Sequence, residues 1–353
     1  MKHNFGAGPC ILPQEVFQEA SRSVVDFNGL SILEVSHRHK DFVAVMDEAT
    51  DLVKKALNVP EGYSVIFLQG GASLGFLISA LNMMRDTKKA SYINTGTWSK
   101  KAMTEAKKAG FEVIEAASSA DTNFNYIPKN INFDVASDYL HFTSNNTIFG
   151  TQFKKMPKTS LPLVCDMSSD IFSREINVAD FDLIYAGAQK NMGPAGTTLV
   201  VVKEAILGKV TRQIPSMMNY KVHADKDSMF NTPPVFAVYT SMLTLEWLKS
   251  LGGIEAIEKE NFKKARLMYS EIDLNPLFKG FAATEDRSSM NATFSLTDDK
   301  LKDTFDSMWK EAGINGLNGH RSVGGYRASM YNALPLESVA TLVDVMSELE
   351  RKA

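Results

Sequence analysis

One lysine lies in a strand–turn–strand pattern that suits covalent chemistry with an aldehyde. Residues 183–196, LIYAGAQKNMGPAG, run from an apolar stretch of strand length into a turn rich in Gly and Pro that carries Lys190. A second apolar run, residues 198–202, follows this turn at once. A lysine at a strand end loses solvent, which lowers the pKa of its amine and frees it to form a Schiff base with a carbonyl carbon. A solvated lysine on a surface turn is the alternative for this segment taken alone.

A carboxylate at the end of an earlier strand-like run favours the catalytic interpretation. Residues 161–169, LPLVCDMSS, form a short apolar run that terminates at Asp166. A buried carboxylate needs a partner, and the protonated ring nitrogen of pyridoxal phosphate would provide one. Such an ion pair keeps the ring cationic, so that it accepts electrons from a carbanion on the substrate. A turn residue or helix cap is the alternative for Asp166, but an Asp followed by a Lys at successive strand ends favours a pyridoxal-phosphate site.

Length and composition limit the classes of partner. The chain has 353 residues, of which 44% are hydrophobic and 22% charged, with a formal net charge of −3. The length predicts about two domains, and the near-neutral balance gives no electrostatic basis for binding nucleic acid or an anionic membrane. The start, MKHNFGAGPC, has no long apolar run, and no segment reaches membrane-spanning length. Two cysteines, Cys10 and Cys165, do not make a disulfide framework, and we expect a cytoplasmic protein.

The elements that must position these residues alternate along the chain. Apolar runs of strand type at 65–68, 90–94, 112–114 and 139–142 are separated by stretches with helical spacing of apolar residues. This alternation predicts an α/β fold with a mostly parallel sheet flanked by helices. Sites in such sheets lie at the carboxyl ends of the strands, where Asp166 and Lys190 fall. After a predicted helix at about 235–249 the pattern changes, which predicts a smaller C-terminal α/β domain from about residue 256.

Four segments, one of which carries Lys190, resemble segments of a known family. These segments are AGAQKNMGPAG at 186–196, SHR at 36–38, FNTPP at 230–234 and GHRSVGGYRASMYNA at 319–333. Together with FGAGP at 5–9 they resemble the phosphoserine aminotransferase family, of the class V group of fold-type I pyridoxal-phosphate enzymes, over essentially the whole chain. The resemblance implies the fold-type I transferase fold and a homodimer whose cofactor sites are completed by the neighbouring subunit. It also implies an N-terminal segment (1–14) packing near the small domain, a large cofactor-binding domain (15–255) and a small C-terminal domain (256–353).

The cofactor phosphate is expected at residues 69–75, QGGASLG, between a predicted strand and the next helix. Glycines let the backbone approach an anion, and a helix N-terminus offers free N–H groups and a favourable dipole. An ordinary tight turn is the alternative for this weak motif. The resemblance assigns phosphate contacts to Ala72 and Ser73, where many relatives have Gly followed by Arg or Cys, and also to Gln189.

The resemblance assigns further cofactor contacts outside this turn. Trp98, in a loop after a predicted strand, would stack on the pyridine ring, although simple core packing is the commoner role of a tryptophan. Thr147 would hydrogen-bond the phenolic oxygen of the cofactor. Asn231 and Thr232 would reach the phosphate of the neighbouring subunit's cofactor, and helix capping before Pro233 is their alternative role.

The predicted substrate residues are cationic. The resemblance places Arg327 on the substrate α-carboxylate, which a planar guanidinium binds bidentately. Two His–Arg pairs, His37 with Arg38 and His320 with Arg321, recur far apart in the sequence. Their combined charge suits a dianionic phosphate better than a neutral side chain. A metal shared by His37 and the second histidine of the HRH run is rejected, because an arginine separates them and no further ligands cluster nearby.

These residues lead to a functional hypothesis with three alternatives. Lys190 would bind pyridoxal phosphate covalently and move the substrate proton, so that an amino group passes from glutamate to 3-phosphohydroxypyruvate and gives O-phospho-L-serine and 2-oxoglutarate. The resemblance places this reaction in serine biosynthesis, and many relatives also act in pyridoxine biosynthesis. The alternatives are another class V aminotransferase acting on small 2-oxo acids, a cysteine desulfurase, which would need a mobile nucleophilic cysteine, and a binding protein that has lost activity.

Overall fold

The computed structural model describes residues 2–353 and consists of α-helices packed around three β-sheets. The strands are β1 (His3–Asn4), β2 (Tyr63–Gln69), β3 (Lys89–Asn94), β4 (Glu112–Ser118), β5 (Leu140–Thr143), β6 (Leu163–Asp166), β7 (Leu183–Gly187), β8 (Thr197–Lys203), β9 (Phe278–Gly280), β10 (Asn291–Leu296), β11 (Ile314–Asn315) and β12 (Tyr326–Ser329). The helices are α1 (Gln14–Val25), α2 (Lys40–Ala56), α3 (Gly71–Met83), α4 (Thr97–Lys108), α5 (Tyr220–Ala224), α6 (Val235–Ser250), α7 (Gly253–Leu274), α8 (Lys302–Glu311) and α9 (Leu336–Lys352).

The largest sheet positions the predicted site. Its strand order is β2-β8-β7-β6-β5-β3-β4, and the neighbouring pairs from β7 to β4 are parallel. β8 runs antiparallel to both β2 and β7. The carboxyl ends of β2, β3, β5, β6 and β7 therefore meet at one edge of the sheet, and the predicted α/β architecture with a mostly parallel sheet is confirmed.

Both faces of this sheet are covered by helices. Successive residues of a strand point to opposite faces, so Val65 and Phe67 pack with α2 and α6, whereas Ile66 and Leu68 pack with α3 and α4. Helix α2 packs on the sheet through one apolar face, since its buried residues recur every three or four positions. The strands are apolar along most of their length, as expected of a sheet buried on both sides.

The C-terminal part of the chain has its own core. The antiparallel sheet β12-β10-β9 packs with α8, α9 and the second half of α7, and β1 pairs in parallel with β11. Phe5 also lies in this core. Helix α7 packs Ile254 and Ile257 on the large core and Met268 and Ile272 on the small core. The predicted division at 255/256 therefore falls inside a helix, and it stays a prediction.

One element differs from expectation near the site. Trp98 lies in the first turn of α4, not in a loop, because the helix begins at Thr97 directly after Gly96. Gly96 has φ of 145°, and a Cβ there would lie 2.7 Å from the Phe149 ring, so this turn accommodates only glycine without a shift. No helix within residues 2–353 combines the length and the apolar character that a bilayer span requires.

Candidate active site

Lys190 lies in the turn between β7 and β8, at the carboxyl edge of the sheet. Its Nζ donates a hydrogen bond to Thr147 Oγ1 at 2.6 Å and lies 5.0 Å from the centroid of the Trp98 ring. Burial is the main reason that the pKa of the amine is lowered to about 8; Asp166 opposes the shift, and the positive charge of Arg327 adds to it. An amine with this pKa is substantially neutral at mildly alkaline pH and is able to act as a nucleophile or a base.

The N-terminal segment holds the turn that carries this lysine. The Cys10 N–H donates to Gln189 O at 3.0 Å, and the Cys10 thiol donates to Lys190 O at 2.5 Å. A Cβ at Gly8 would lie 3.4 Å from Lys190 Cγ, with φ of 145° at that glycine. Neither Cys10 nor Gly8 was predicted to lie at the site, because nothing local in FGAGPC indicates contact with residues 180 positions away.

Asp166 ends β6 and is buried, with 3% of its surface exposed. Its Oδ1 accepts hydrogen bonds from the Ser168 backbone N–H at 2.9 Å and from the Ser168 hydroxyl at 2.6 Å. Burial raises the pKa of the carboxyl, and Lys190 and Ser168 oppose that rise. The Gly187 N–H donates to Ser168 Oγ at 3.1 Å, so Ser168, which was not among the predicted residues, ties the ends of β6 and β7 together.

A small polar cradle lies between the ends of β2 and β7. A Cβ placed on Gly187 would lie 2.8 Å from Gln189 Oε1 and 3.2 Å from the backbone N of Ala72, so a side chain there would fill the cradle. Ala72 and Ser73 are in the first turn of α3, after Gly70 with φ of 92°. The structure thus brings Ala72 and Gln189 together at a helix N-terminus, which is a favourable place for a phosphate. The exposed Ser73 lies in the same turn.

Trp98 lies beside Lys190 and has an unused donor. Its indole Nε1 is buried without a hydrogen-bond partner within residues 2–353. A second lysine, Lys101, places its Nζ 4.6 Å from the same ring centroid. The i, i+3 spacing of Trp98 and Lys101 brings them together once the segment is helical, and Lys101 was not predicted because Trp98 was expected in a loop.

Arg327 reaches this edge of the sheet from β12 of the three-stranded sheet. Its Nη1 donates to Thr147 O at 3.2 Å, and its Nε is buried and makes no hydrogen bond to residues 2–353. Burial lowers the pKa of the guanidinium. Thr147 therefore receives Arg327 on its carbonyl and Lys190 on its hydroxyl, so the two predicted residues lie on either side of one threonine.

His320 and Arg321 belong to the same region. His320 is half-buried, and its Nδ1 lies 2.7 Å from Ser322 Oγ. Burial lowers the pKa of His320, and the positive charges of Arg327, Arg321 and Lys101 lower it further. These four side chains are therefore close enough to form one cationic cluster, which suits an anionic ligand.

The other predicted residues make no hydrogen bond with the Lys190 side chain among residues 2–353. Among residues 2–353, His37 and Arg38 make no hydrogen bond or ion pair with the residues around Lys190; His37 is buried with Nε2 unpaired, and Arg38 is exposed. Burial and Arg38 lower the pKa of His37. Asn231 and Thr232 precede α6, and Thr232 O accepts a hydrogen bond from Gln69 Nε2 at 2.7 Å. The His37–Arg38 pair is thus not joined to the other His–Arg pair in this chain.

The cluster fits pyridoxal phosphate on structural grounds. It offers an amine of lowered pKa, a buried carboxylate on the next strand, a half-buried indole with an unused N–H, and a cradle at a helix N-terminus. The cysteines do not offer an alternative nucleophile. Burial raises the pKa of Cys10 to about 12 and that of Cys165 well above its usual range, so neither is a ready thiolate.

Comparisons with known proteins agree with this chemistry. The family model "Aminotransferase class-V" matches residues 3–342. The chain is 62% identical to "Phosphoserine aminotransferase" of Flavobacterium psychrophilum over 99% of both chains. It superposes on the phosphoserine aminotransferase from Bacillus circulans subsp. alkalophilus with a TM-score of 0.96 and 42% identity, covering 100% of this chain and 99% of that one. The pyridoxal-phosphate-bound phosphoserine aminotransferase from Trichomonas vaginalis gives a TM-score of 0.92 and 35% identity, covering 98% and 100%. On the strength of these matches along its whole length, the chain belongs to the class-V aminotransferase family.

Proposed function

We propose that the enzyme is a pyridoxal-phosphate-dependent phosphoserine aminotransferase. It moves an amino group from L-glutamate to 3-phosphohydroxypyruvate and gives O-phospho-L-serine and 2-oxoglutarate. The observation that carries the proposal is the placement of Lys190 Nζ between the Thr147 hydroxyl and the Trp98 ring, beside a cluster of cationic side chains. The names of the relatives with 53–62% identity support the same substrate pair.

We assign the cofactor contacts to the residues that surround Lys190. When bound, pyridoxal phosphate supplies an aldehyde for the lysine and a cationic ring that withdraws electrons from the substrate. Asp166 would pair with the ring nitrogen, since its buried carboxylate has the charge to do so. Trp98 would contact the ring and Thr147 the phenolic oxygen. The phosphate would be held by Ala72, Ser73 and Gln189 and, across the subunit boundary, by Asn231 and Thr232.

Lys190 has a second task after the substrate arrives. With a pKa of about 8, its Nζ holds a proton readily and gives it up readily, as a general acid/base must near neutral pH. Lys190 would remove the proton from the substrate Cα and hold it at Nζ until it is returned. The hydrogen bond from Lys190 Nζ to Thr147 Oγ1, at 2.6 Å, restricts the position of Nζ.

The substrate residues follow from charge and position. Arg327 reaches the site with its Nε unpaired within residues 2–353 and would bind the α-carboxylate bidentately. His320 and Arg321, already beside Arg327, would bind the distal phosphate or the side-chain carboxylate of glutamate. His37 and Arg38 would complete this pocket, although they do not join it within one chain.

A homodimer reconciles these positions. We propose that His37 and Arg38 enter the pocket of the neighbouring subunit, and that Asn231 and Thr232 contact the phosphate of the cofactor bound there. Exposed apolar side chains at Leu30 and Leu33, on the segment that leads to His37, support burial of this surface in an assembly. We also propose a cytoplasmic location and a second role in pyridoxine biosynthesis, at the 4-phosphohydroxythreonine step.

Substrate competition tests the proposal against an aminotransferase of small 2-oxo acids. With glutamate as donor, we expect kcat/KM for 3-phosphohydroxypyruvate to exceed that for pyruvate and glyoxylate by at least about 100-fold, since a charged phosphate in a cationic pocket contributes about 3 kcal/mol or more. Equal rates would contradict the phosphate pocket. Borohydride reduction followed by peptide mapping should place the cofactor at position 190, and a label at another lysine would overturn the assignment.

A further inference from the structure

A buried polar junction joins the small core to the turn that carries Lys190. The segment after β12, residues 330–332, leaves the small sheet and runs to that turn. Lys264, from α7, donates hydrogen bonds through Nζ to Met330 O at 3.2 Å and to Tyr331 O at 2.7 Å. Lys264 is 1% exposed, so these carbonyls are what replaces its water.

Asn332 continues the junction toward the large core. Its backbone N–H donates to Asn191 Oδ1 at 2.9 Å, and its Nδ2 donates to Phe172 O at 2.9 Å. Its Oδ1 accepts a hydrogen bond from Asn261 Nδ2, which lies one helical turn before Lys264, at 2.8 Å. The segment is thus fixed to α7 at one end and to the large core at the other.

Asn191 is the next residue after Lys190 and uses both ends of its amide. Its Oδ1 accepts from Asn332 N–H, and its Nδ2 donates to Ile171 O at 2.6 Å. Ile171 closes the turn that follows Asp166, since its N–H donates to Met167 O. One side chain therefore connects the lysine turn, the turn after Asp166 and the small core.

We propose that Asn191 is a positioning residue for Lys190, and that Lys264 holds it in place through residues 330–332. This inference rests on the proposed function, since it concerns how Lys190 is aimed at the substrate. The same segment follows Arg327 on β12, so the junction sets the substrate-binding arginine and the reactive lysine in one frame.

The geometry gives the reason for a large effect. Proton transfer requires Nζ within hydrogen-bond reach of the reacting atom, and a misplacement of about 1 Å costs on the order of 100-fold in rate. Loss of the Asn191 side chain removes the hydrogen bonds that join the lysine turn to Ile171 and Asn332. Loss of Lys264 removes its hydrogen bonds to the Met330 and Tyr331 carbonyls. Tyr331 O keeps the Leu334 N–H as a donor, whereas residues 330–332 must shift for the Met330 carbonyl to regain a partner.

The experiment compares Asn191→Ala, Lys264→Met and the double variant in the holoenzyme. We expect each single variant to lower kcat per bound cofactor by on the order of tenfold, with KM for glutamate within about twofold of the wild-type value. Because both act through one junction, the double variant should be no more than about threefold slower than the slower single variant. Lys263→Met is the matched control, since Lys263 is exposed on the same helix and pairs with Glu260, and it should retain wild-type kcat.

A spectroscopic measurement separates positioning from general loss of structure. The pH midpoint of the visible absorbance of the bound cofactor reports the surroundings of Lys190, and we expect it to move by about half a unit or more in Asn191→Ala and Lys264→Met but not in Lys263→Met. Unchanged kcat and midpoint in Lys264→Met would overturn the inference, as would rate losses that multiply in the double variant. A wild-type protein that binds no cofactor would instead overturn the proposed function.

Discussion

Among residues 2–353, Lys154, Lys190 and Lys264 have lowered pKa values, and of these only Lys190 lies against both the Thr147 hydroxyl and the Trp98 ring. Burial lowers the pKa of Lys190 to about 8 and that of Lys264 to about 7. Lys264 donates its hydrogen bonds to the backbone carbonyls of residues 330 and 331. Lys190 has one hydroxyl partner and an aromatic face nearby. Burial therefore explains the lowered pKa of both amines. The type of partner, backbone carbonyls for Lys264 and a side-chain hydroxyl for Lys190, distinguishes the structural amine from the reactive one.

Removal of Lys190 and removal of Lys264 should have the most different effects on catalysis. Lys190→Ala should lower kcat by at least roughly 1000-fold, because both the covalent attachment and the proton transfer are lost. Lys264→Met should retain a borohydride-reducible cofactor adduct at position 190, because Lys264 does not touch the cofactor site. Steady-state turnover and mass mapping of the reduced peptides measure the two outcomes. A reducible adduct in Lys190→Ala at position 264 would reverse the roles of the two lysines.

For each lysine, one carboxylate makes the largest contribution that raises the pKa. Asp166 acts on Lys190 and Glu260 acts on Lys264. Asp166→Asn removes a buried charge from the cofactor site, and we expect a loss on the order of 100-fold in kcat, about 3 kcal/mol. In the apoprotein the same change should lower the pKa of Lys190 below about 8, seen as faster amine modification at neutral pH. Glu260→Gln should leave both kcat and the reactivity of Lys190 unchanged.

Lys264 should affect the pH dependence of stability more than Lys190 does, although Lys190 affects catalysis more. Lys264 has a pKa of about 7 when folded and an ordinary value of 10.5, so between these values the unfolded chain binds more protons. Stability therefore rises with pH in this window, and for Lys264 the rise from about pH 7 to about pH 10 is about 3 kcal/mol. Urea unfolding of apo Lys264→Met should show a flatter profile than the wild type by that amount, whereas Lys263→Met should not. For Lys190 the window begins only near a pH of about 8, and its side chain is partly exposed, so Lys190→Met should flatten the profile less.

Sequence patterns could identify the site residues that directly follow a predicted strand. Lys190 and Asp166 follow apolar runs, and the rule that parallel strands end at one edge predicts from the sequence alone that they lie close together. Lys264 illustrates what was overlooked. Buried positions of α7 include 257, 261, 264, 265 and 268, a helical stripe that the sequence already contains, but a lysine is the residue least expected on it.

Other contacts could not be predicted from local sequence. The bond from Cys10 to the lysine turn and the bond from Asn332 to Asn191 join residues more than a hundred positions apart. They depend on how the N-terminal segment and the small core pack against the large sheet, and no periodicity encodes that packing.

Lys101, an exposed lysine near the site, should have the smallest effect on substrate binding. Lys101 is exposed and carries its charge to the Trp98 ring and toward His320. An exposed charge contributes about 0.2–1 kcal/mol to a contact, so Lys101→Met should raise KM for 3-phosphohydroxypyruvate by roughly two- to fivefold without changing cofactor binding. The pKa of His320 should rise in the same variant, because a neighbouring positive charge is removed, and a titration of the histidine resonances measures it. Lys100→Met, on the adjacent exposed position, should change neither quantity; an equal effect of both variants would mean that only the net charge of α4 matters, and not the place of Lys101 beside Trp98.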